Sequence, residues 1–392
     1  MRRNPDDASR RHALRALAGF IAGSPLLRSQ TDAVRYRDRV PGFSELATTF
    51  DFEAVAYARL PRAAYDYQAS TTDSGFTKRR NREAFDWVEL IPKRLGEVGQ
   101  PKTATRILGT DMAFPLMVSP TAGHAQFHPE GEMATHKGAA AASKTPMLVS
   151  NNASFPIDKV GAAAESPFWF QLYPKQELDA NRRALDAAQE AGCRAIVVTI
   201  DQQAIFSEIT EHDHNLSGVT TRRAPRRSAA APNPYRVEDY RLWYEWPFFE
   251  KIRPFVKVPM VAKGILTAED ALLCLEHGLD GVYVSNHGGR SLDYAPSTLE
   301  VLPEIVDAVR GRVPVLFDSG IRRGSDILKA LALGASAVCV GRVPLFGLSA
   351  YGPAGVQRVL EILQAELVQA MLEAGRPTLA SLDRSLLRTD FR

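Results

Sequence analysis

Residues 285–290 carry two side chains that could act together on a small anion. His287 is a base near neutral pH, and Arg290, three positions later, is a permanent cation. A guanidinium holds a carboxylate through two parallel hydrogen bonds, so the imidazole would stand beside the neighbouring atom. Gly288 and Gly289 allow a tight turn and the close approach of a flat ligand. The segment predicts a site that binds a carboxylate and moves a proton beside it, although a single histidine after a strand is often structural.

A repeating pattern of short apolar runs predicts the elements that position this pair. From Pro115 onward an apolar run, a turn and a helix-like segment follow one another repeatedly. Eight such runs are present, at residues 116–119, 147–150, 168–171, 195–199, 260–263, 282–285, 315–318 and 337–340. Most are apolar on both faces, as parallel strands covered on both sides are. The pattern predicts an α/β fold, a (β/α)8 TIM barrel, more readily than an open doubly wound sheet.

Helix signals lie between and before these runs. Helices are predicted at residues 177–191, 268–277, 298–309 and 326–333. Capping residues stand at their ends: Thr267 and Ser297 at N-caps, and Gly192, Gly278 and Gly334 after the C-termini. Residues 36–114 are predicted to form N-terminal helices that cap one end of the barrel. We therefore expect one barrel domain over residues 36–392.

A long connection at about residues 202–259 interrupts the strand–helix rhythm. Its segment 220–234 contains four arginines, among them Arg222 and Arg227, and three prolines. Such a composition is typical of a loop. A solvated linker, a substrate lid and a docking site for a partner all remain open.

Polar residues close or directly follow the apolar runs. They are Ser150, Gln171, Tyr173, Thr199, Asp201, Lys263, His287, Arg290, Asp318, Arg322, Gly341 and Arg342. Active groups of a TIM barrel gather at the carboxyl ends of its strands. Because chance would rarely place such groups after seven of the eight runs, the arrangement indicates an enzyme.

Composition excludes several other classes of protein. The 392 residues are 45% hydrophobic and 24% charged, which is ordinary for a globular chain. A net charge of +3 without a basic strip of interleaved aromatics argues against nucleic acid as a partner. Cys193, Cys274 and Cys339 lack metal-ligand spacing, so they are predicted to be buried, with no disulfide framework and no metal site. No apolar run reaches the ~18 residues of a membrane span.

The first 35 residues admit two interpretations. Arg10 and Arg11 precede an apolar stretch at residues 16–27, as in a twin-arginine export signal. However, Arg15 lies close to that stretch and no clear Ala-x-Ala cleavage site follows. An N-terminal helix with basic ends accounts for the pattern equally well. Export to the periplasm and a cytoplasmic location therefore both remain open.

The end of the predicted barrel has the features of a phosphate site. Gly320, Gly324 and Gly341 leave backbone amides uncovered near the last two strands, and Arg322 and Arg342 add positive charge.

Lys263, at the end of the fifth strand, should project toward the barrel axis. It could be a Schiff-base nucleophile or the partner of a cofactor that becomes anionic, such as a reduced flavin. Ser150, Gln171 and Thr199 offer the neutral donors and acceptors that a flavin ring needs.

With these segments in place, the sequence resembles the FMN-dependent α-hydroxy-acid oxidases and dehydrogenases, which include glycolate oxidase, lactate dehydrogenases and mandelate dehydrogenase. The resemblance runs from about residue 51 to about residue 387. It rests on residues 65–67, 120–122, 128–132, 171–173, 263–264, 285–293, 318–324 and 341–342. It implies a TIM barrel that binds FMN and oxidises an L-2-hydroxy acid to the 2-oxo acid.

The resemblance also implies a role for each residue on the substrate side. His287 would be the base, and Asp201 would support its cationic form. Arg290 would bind the substrate carboxylate with help from Tyr67. Tyr173 would hydrogen-bond the hydroxyl end of the substrate. Proton and hydride transfer from the α-carbon both remain open.

On the flavin side, Lys263 is implied to stabilise the reduced cofactor. The remaining implied FMN contacts are Pro120, Thr121, Ala122, Ser150, Gln171, Thr199, Ser285, Asp318, Gly320, Arg322, Gly341 and Arg342. Oxygen, a quinone or a cytochrome could reoxidise the flavin. Ala122 is common in oxidases of this family. The family also implies a homo-oligomer, a tetramer.

Departures from the family pattern concern mainly the substrate side. Asn152 stands where many members carry an aromatic residue, and Glu208 lies where the pattern has arginines. Ser319 replaces a usual glycine, which is a mild change. These differences predict that glycolate and L-lactate are not the best substrates. They favour a longer side chain with a neutral or cationic end.

Three other functions are compatible with parts of the sequence. The same flavin site could oxidise a non-standard substrate, an amine or a modified peptide. A catalytically idle flavin-binding scaffold is a second alternative, which the intact set of His287, Arg290, Tyr173 and Lys263 disfavours. A Schiff-base aldolase that uses Lys263 is disfavoured because it leaves the phosphate end and His287 without a joint explanation.

Overall fold

The computed structural model describes residues 40–95, 99–201 and 245–391. The predicted export signal or helix at residues 1–35, Glu208, and the arginine-rich segment 220–234 lie outside the described residues. The strands are β1 Val88–Leu90, β2 Thr105–Ile107, β3 Thr110–Met112, β4 Leu116–Thr121, β5 Met147–Ser150, β6 Phe168–Leu172, β7 Ile196–Thr199, β8 Met260–Ile265, β9 Gly281–Val284, β10 Val315–Phe317, β11 Ala337–Val340 and β12 Leu387–Thr389.

The α-helices of the described residues follow in chain order. They are α1 Thr49–Arg59, α2 Arg62–Ala69, α3 Phe76–Glu83, α4 Gly131–Ala141, α5 Ile157–Gly161, α6 Leu178–Glu190, α7 Phe248–Ile252, α8 Ala268–Glu276, α9 Thr298–Val309, α10 Gly324–Ala332 and α11 Arg342–Glu373. The four helices predicted between strands are present, with ends that differ from the predicted ones by at most two residues. The predicted N-caps are also observed, since Thr267 accepts a hydrogen bond from the Asp270 amide and Ser297 from the Glu300 amide.

Strands β4 to β11 close into a barrel in which all neighbours are parallel. Each strand pairs with the next one along the chain, and β11 returns to pair with β4. This confirms the predicted (β/α)8 TIM barrel. The strands are buried almost throughout, because helices cover their outer face and side chains fill the barrel on their inner face.

A hairpin of β2 and β3 closes the amino end of the barrel. Ile107 and Met112 pack against the side chains of the barrel interior. The Trp169 indole Nε1, near the start of β6, donates to Thr110 Oγ1 at 2.9 Å. The sequence predicted only helices for residues 36–114. Strands of three residues are too short to show a period of two, so this hairpin was missed.

The helices α1, α2 and α3 lie over the opposite end of the barrel. Thr49 Oγ1 donates to the Arg322 carbonyl at 2.6 Å, and the Thr72 amide donates to the Gly289 carbonyl at 3.1 Å. Arg322 follows β10 and Gly289 follows β9, so these helices cap the carboxyl ends of the strands. Their position closes one side of the site described below.

The remaining composition-based predictions concern cysteines, membranes and metals. All three cysteines are buried and unpaired, as predicted. In the parts of the chain that the structure describes, no helix has the length and hydropathy to cross a membrane. Over the same residues, no group of His, Cys, Asp or Glu side chains has an arrangement that could hold a metal ion.

Candidate active site

His287 lies between an acidic and a phenolic partner at the carboxyl end of the barrel. Its Nδ1 is 2.9 Å from Asp201 Oδ1, just after β7, and its Nε2 is 3.3 Å from the Tyr173 hydroxyl, just after β6. The His287 amide donates to Ser285 Oγ at 3.1 Å, and φ of His287 is 58°, in the left-handed region. This strained backbone, held by the turn, aims the ring across the barrel mouth.

The electrostatic surroundings keep His287 neutral and Asp201 charged. Burial lowers the pKa of His287, and the charges of Lys263 and Arg290 lower it further against the raising effect of Asp201. Burial alone would raise the pKa of Asp201, but the charge of Lys263 and the hydrogen bond from His287 bring that pKa below its usual value. A neutral imidazole that donates from Nδ1 to a carboxylate has a free lone pair at Nε2, which is the form a general base needs.

Arg290 and Tyr67 meet on the side of the site that faces the N-terminal helices. The Arg290 guanidinium carbon lies 4.8 Å from the centre of the Tyr67 ring, a cation–π distance. Tyr67 belongs to α2, and Arg290 follows the turn after β9. The sequence-predicted carboxylate binders are therefore brought together by tertiary contacts.

Three polar side chains at the ends of β5, β6 and β7 form one edge of the site. Ser150 Oγ donates to Gln171 Oε1 at 2.8 Å. Gln171 Nε2 and Thr199 Oγ1 are buried without a hydrogen-bond partner among the described residues. Buried polar atoms are nearly always paired in folded proteins, so these two atoms point to a polar ligand. Both match the neutral donors and acceptors along a flavin ring.

Lys263 lies in the barrel interior between two carboxylates. Its Nζ is 4.0 Å from Asp201 Oδ2 and 4.0 Å from Asp318 Oδ2. Lys263 itself is only 2% exposed. The separations are longer than a hydrogen bond, so neither carboxylate holds the ammonium in a close ion pair.

The predicted phosphate end already has protein partners for its two arginines. Arg322 forms an ion pair with Glu53 of α1. Arg342 donates to the carbonyls of Gln68, Ser70 and Gly288, and burial, with the charge of Arg290, lowers the pKa of Arg342 to about 9.

Close packing also shapes this end of the barrel. Gly320 has φ +85°, and a Cβ built there would lie 2.1 Å from the Asn81 carbonyl oxygen, so only glycine fits.

Lys78 and Glu53 are charged residues at this end that the sequence did not reveal. Lys78 Nζ donates to the Ala69 carbonyl at 2.6 Å. Burial lowers the pKa of Lys78 to about 8, and the charges of Arg342 and Arg322 add to the effect. Neither residue follows a barrel strand, and both come from the N-terminal helices. No local pattern marks them, because only folding brings these helices over the phosphate end.

The other sequence-predicted cofactor residues lie at strand ends of the same face. Pro120 and Thr121 end β4 and Ala122 follows it, and the Thr121 hydroxyl is 2.7 Å from His124 Nε2. Ser285 and Gly341 directly follow β9 and β11. The set thus surrounds one mouth, with His287 on one side, unpaired polar atoms on another and a cationic end.

A TIM barrel with these groups at its carboxyl end belongs to the class of cofactor-dependent oxidoreductases, and its donor set fits FMN. The chain belongs to the FMN-dependent dehydrogenase family, whose model matches residues 56–389. It is 36% identical over 354 residues to a peroxisomal (S)-2-hydroxyacid oxidase of Arabidopsis thaliana, covering 88% of this chain and 97% of that protein. It is 34% identical over 358 residues to glycolate oxidase of Spinacia oleracea, with 88% and 97% covered.

Solved structures give the same result. The crystal structure of a mandelate oxidase matches with a TM-score of 0.79 at 35% identity, covering 88% of this chain and 99% of that one. A crystal structure of mandelate oxidase with 3,3-difluoro-2-hydroxy-3-phenylpropionic acid matches with a TM-score of 0.78 at 34% identity and equal coverage. The protein is therefore an FMN-dependent oxidoreductase of the 2-hydroxy acid oxidase family.

Proposed function

We propose that this protein oxidises an L-2-hydroxy acid to the corresponding 2-oxo acid, with His287 as the base and Arg290 as the carboxylate ligand. The observation that carries the proposal is the position of His287. Its Nε2 faces Tyr173 at 3.3 Å while its Nδ1 is held by Asp201 at 2.9 Å. This arrangement presents a neutral imidazole nitrogen to a substrate that Arg290 holds.

The substrate would be fixed at two points. The Arg290 fork, with Tyr67 beside it, binds the carboxylate, and the Tyr173 hydroxyl hydrogen-bonds the substrate hydroxyl. His287 then removes one proton, from either the carbon or the oxygen of the reacting centre. Asp201 stabilises the imidazolium that forms, as a carboxylate does behind a catalytic histidine.

FMN supplies the two-electron acceptor for the oxidation. The ring would be held by Ser150, Gln171, Thr199 and the segment 120–122, and Lys263 would stabilise negative charge on it. The ribityl and phosphate groups would be held by Ser285, Asp318, Gly320, Arg322, Gly341 and Arg342. The unpaired Gln171 Nε2 and Thr199 Oγ1 support this assignment.

The relatives' names support a small 2-hydroxy acid as substrate and oxygen as electron acceptor, since they are described as oxidases. We propose oxygen as the acceptor here as well, with a quinone or a cytochrome as the alternatives. We also propose a homotetramer in solution. Oxygen consumption during turnover and light scattering of the purified protein measure these two properties.

Anaerobic reduction of the bound flavin tests the proposed function. The visible flavin spectrum should bleach on addition of a 2-hydroxy acid, and the 2-oxo acid should appear in equal amount. His287→Gln should keep FMN bound but slow this reduction by about 10²–10⁴-fold. Bleaching by an amine or peptide instead would favour the non-standard substrate. No bleaching by any class, with FMN bound, would favour an idle scaffold.

A further inference from the structure

A hydrogen-bonded group of hydroxyls surrounds Asp318 inside the barrel. The Tyr283 hydroxyl donates to Asp318 Oδ2 at 3.0 Å, and Ser319 Oγ donates to Asp318 Oδ1 at 2.8 Å. Ser119 Oγ lies 3.0 Å from the Tyr283 hydroxyl and 3.4 Å from Asp318 Oδ2. Both oxygens of this carboxylate are therefore engaged by neutral donors.

Tyr283 places a hydroxyl group in a mainly apolar part of the barrel interior. It is fully buried in strand β9, and its neighbours in the barrel interior are mainly apolar, including Leu148, Trp169 and Leu316. Burial and the charge of Asp318 raise the pKa of Tyr283 well above its usual value, so the phenol stays protonated. A buried neutral phenol can serve Asp318 only as a hydrogen-bond donor.

Lys263 shares this interior with Tyr283. The two residues pair in register on β8 and β9, so both side chains point into the barrel. Lys263 Nζ lies 5.5 Å from the centre of the Tyr283 ring and 4.0 Å from Asp318 Oδ2. The Asp318 oxygen that faces the ammonium is thus the one that already accepts the Tyr283 hydrogen bond.

Hydrogen-bond donors that satisfy a carboxylate reduce its attraction for a neighbouring ammonium, an attraction that is strong in a medium of low dielectric constant. Hydrogen bonds from hydroxyls spread the negative charge of Asp318 and satisfy its lone pairs. Asp318 therefore neutralises less of the positive charge of Lys263, and more of that charge acts on groups at the carboxyl end of the barrel.

We propose that Tyr283 is a positioning residue that sets the reduction potential of the bound FMN by occupying Asp318 and so leaving Lys263 as an effective cation. The inference rests on the proposed role of Lys263 toward the flavin. It adds an influence on the flavin from Tyr283, which lies beneath the site in the barrel interior and touches neither substrate nor the reacting atoms.

The midpoint potential of FMN in the holoenzyme tests this inference. Photoreduction against a reference dye measures it without any substrate, so the result does not depend on which hydroxy acid is used. In Tyr283→Phe, Asp318 loses one donor and should neutralise Lys263 more fully. Reduced FMN should then be less stabilised, and the equilibrium constant for two-electron reduction should fall about tenfold, which is about 30 mV.

A second variant removes another donor without enlarging any side chain. Ser319 has φ 85°, so Ser319→Gly is compatible with the backbone while it removes the hydroxyl that bonds Asp318 Oδ1. Its reduction equilibrium should shift in the same direction. Tyr351→Phe is the matched control, because Tyr351 donates to the Pro41 carbonyl from the outer helix α11 and should leave the potential unchanged.

Three outcomes distinguish the claims. The proposal is supported if the equilibrium constant for FMN reduction decreases in Tyr283→Phe and Ser319→Gly but not in Tyr351→Phe. The proposal would be overturned if the equilibrium constants of both Tyr283→Phe and Ser319→Gly stayed within twofold of the parental value, or if either constant rose. Lys263→Met tests the role of Lys263 separately from that of Tyr283. If Lys263→Met lowers the potential while Tyr283→Phe and Ser319→Gly do not, Lys263 stabilises the reduced flavin but Tyr283 does not act through it.

Discussion

Asp201 Oδ1 lies 2.9 Å from His287 Nδ1, joining two residues that are 86 positions apart in the chain. The contact connects the carboxyl end of β7 with the turn after β9, across the mouth of the barrel. It fixes which nitrogen of the imidazole carries the proton and turns the other nitrogen toward Tyr173. The proposed chemistry depends on this one orientation, since the opposite tautomer would present a donor to the substrate.

The pH dependence of flavin reduction should reveal the neutral state of His287. Burial lowers the pKa of this residue, so its transition should lie below the usual value of about 6.5. Because the base must be unprotonated, kcat/KM should be constant near neutral pH and fall about tenfold per pH unit below the transition. Stopped-flow reduction between pH 4.5 and 8 measures it. A transition above pH 7 would contradict a lowered pKa.

Arg290→Lys should weaken substrate binding more than it slows reduction of bound flavin. A lysine keeps the charge but loses the two-pronged hydrogen bond to the carboxylate. One hydrogen bond to a charged group contributes about 1.5–3 kcal/mol, so KM should rise about tenfold to a hundredfold. Arg388→Lys, an exposed arginine of β12 paired with Glu89, is the control and should leave KM unchanged. An unaltered KM in Arg290→Lys would remove Arg290 from the substrate site.

Affinity for FMN should depend on pH through Lys78. The pKa of Lys78 is lowered to about 8, and a bound phosphate dianion would raise it. The protonated lysine is thus favoured in the complex, so FMN affinity is full below pH 8 and decreases as the pH rises above it. Fluorescence quenching of FMN titrated with apoprotein between pH 7 and 10 measures this trend.

Lys78→Met supplies the comparison for that experiment. It should bind FMN more weakly at pH 7 and lose the part of the slope that begins near pH 8. Arg342, whose pKa is lowered to about 9, should still add a slope at higher pH in both proteins. Equal slopes in the parent and Lys78→Met from pH 7 to 9 would show that Lys78 does not sense the phosphate.

The best substrate should carry a side chain longer than that of glycolate or L-lactate. Asn152 is exposed and lies two positions after the end of β5. Its backbone amide donates to Ser150 Oγ at 3.2 Å, so its polar side chain starts near the ring-binding edge. Glu208, which lies outside the described residues, adds a negative charge where the family pattern has arginines. Both features favour a neutral or cationic end and disfavour a second carboxylate.

A panel of 2-hydroxy acids graded in length and terminal charge decides this prediction through kcat/KM for flavin reduction. Glu208→Gln should selectively improve substrates with a terminal carboxylate, whereas Asn152→Trp should penalise the longer ones. If glycolate or lactate gave the highest kcat/KM, the prediction would be wrong while the flavin chemistry stood.

The barrel and the order of its parts can be predicted from local patterns in the amino-acid sequence. Each strand is a short run apolar on both faces, and this burial pattern is local, so the eight strands and the helices between them could be predicted. The same holds for the histidine turn, because glycines and a strand end mark it within six residues. The predicted positions of the polar residues at strand ends also follow from the barrel alone.

Which of these side chains meet depends on how the chain folds in three dimensions. The pair of Glu53 and Arg322 spans 269 positions, and Lys78 reaches the phosphate end only because α3 folds over the barrel. Tyr283 occupies a strand whose pattern indicates only burial, and its partner Asp318 follows a different strand. Closure and register of the barrel set such contacts, and neither is encoded in the period of a single segment.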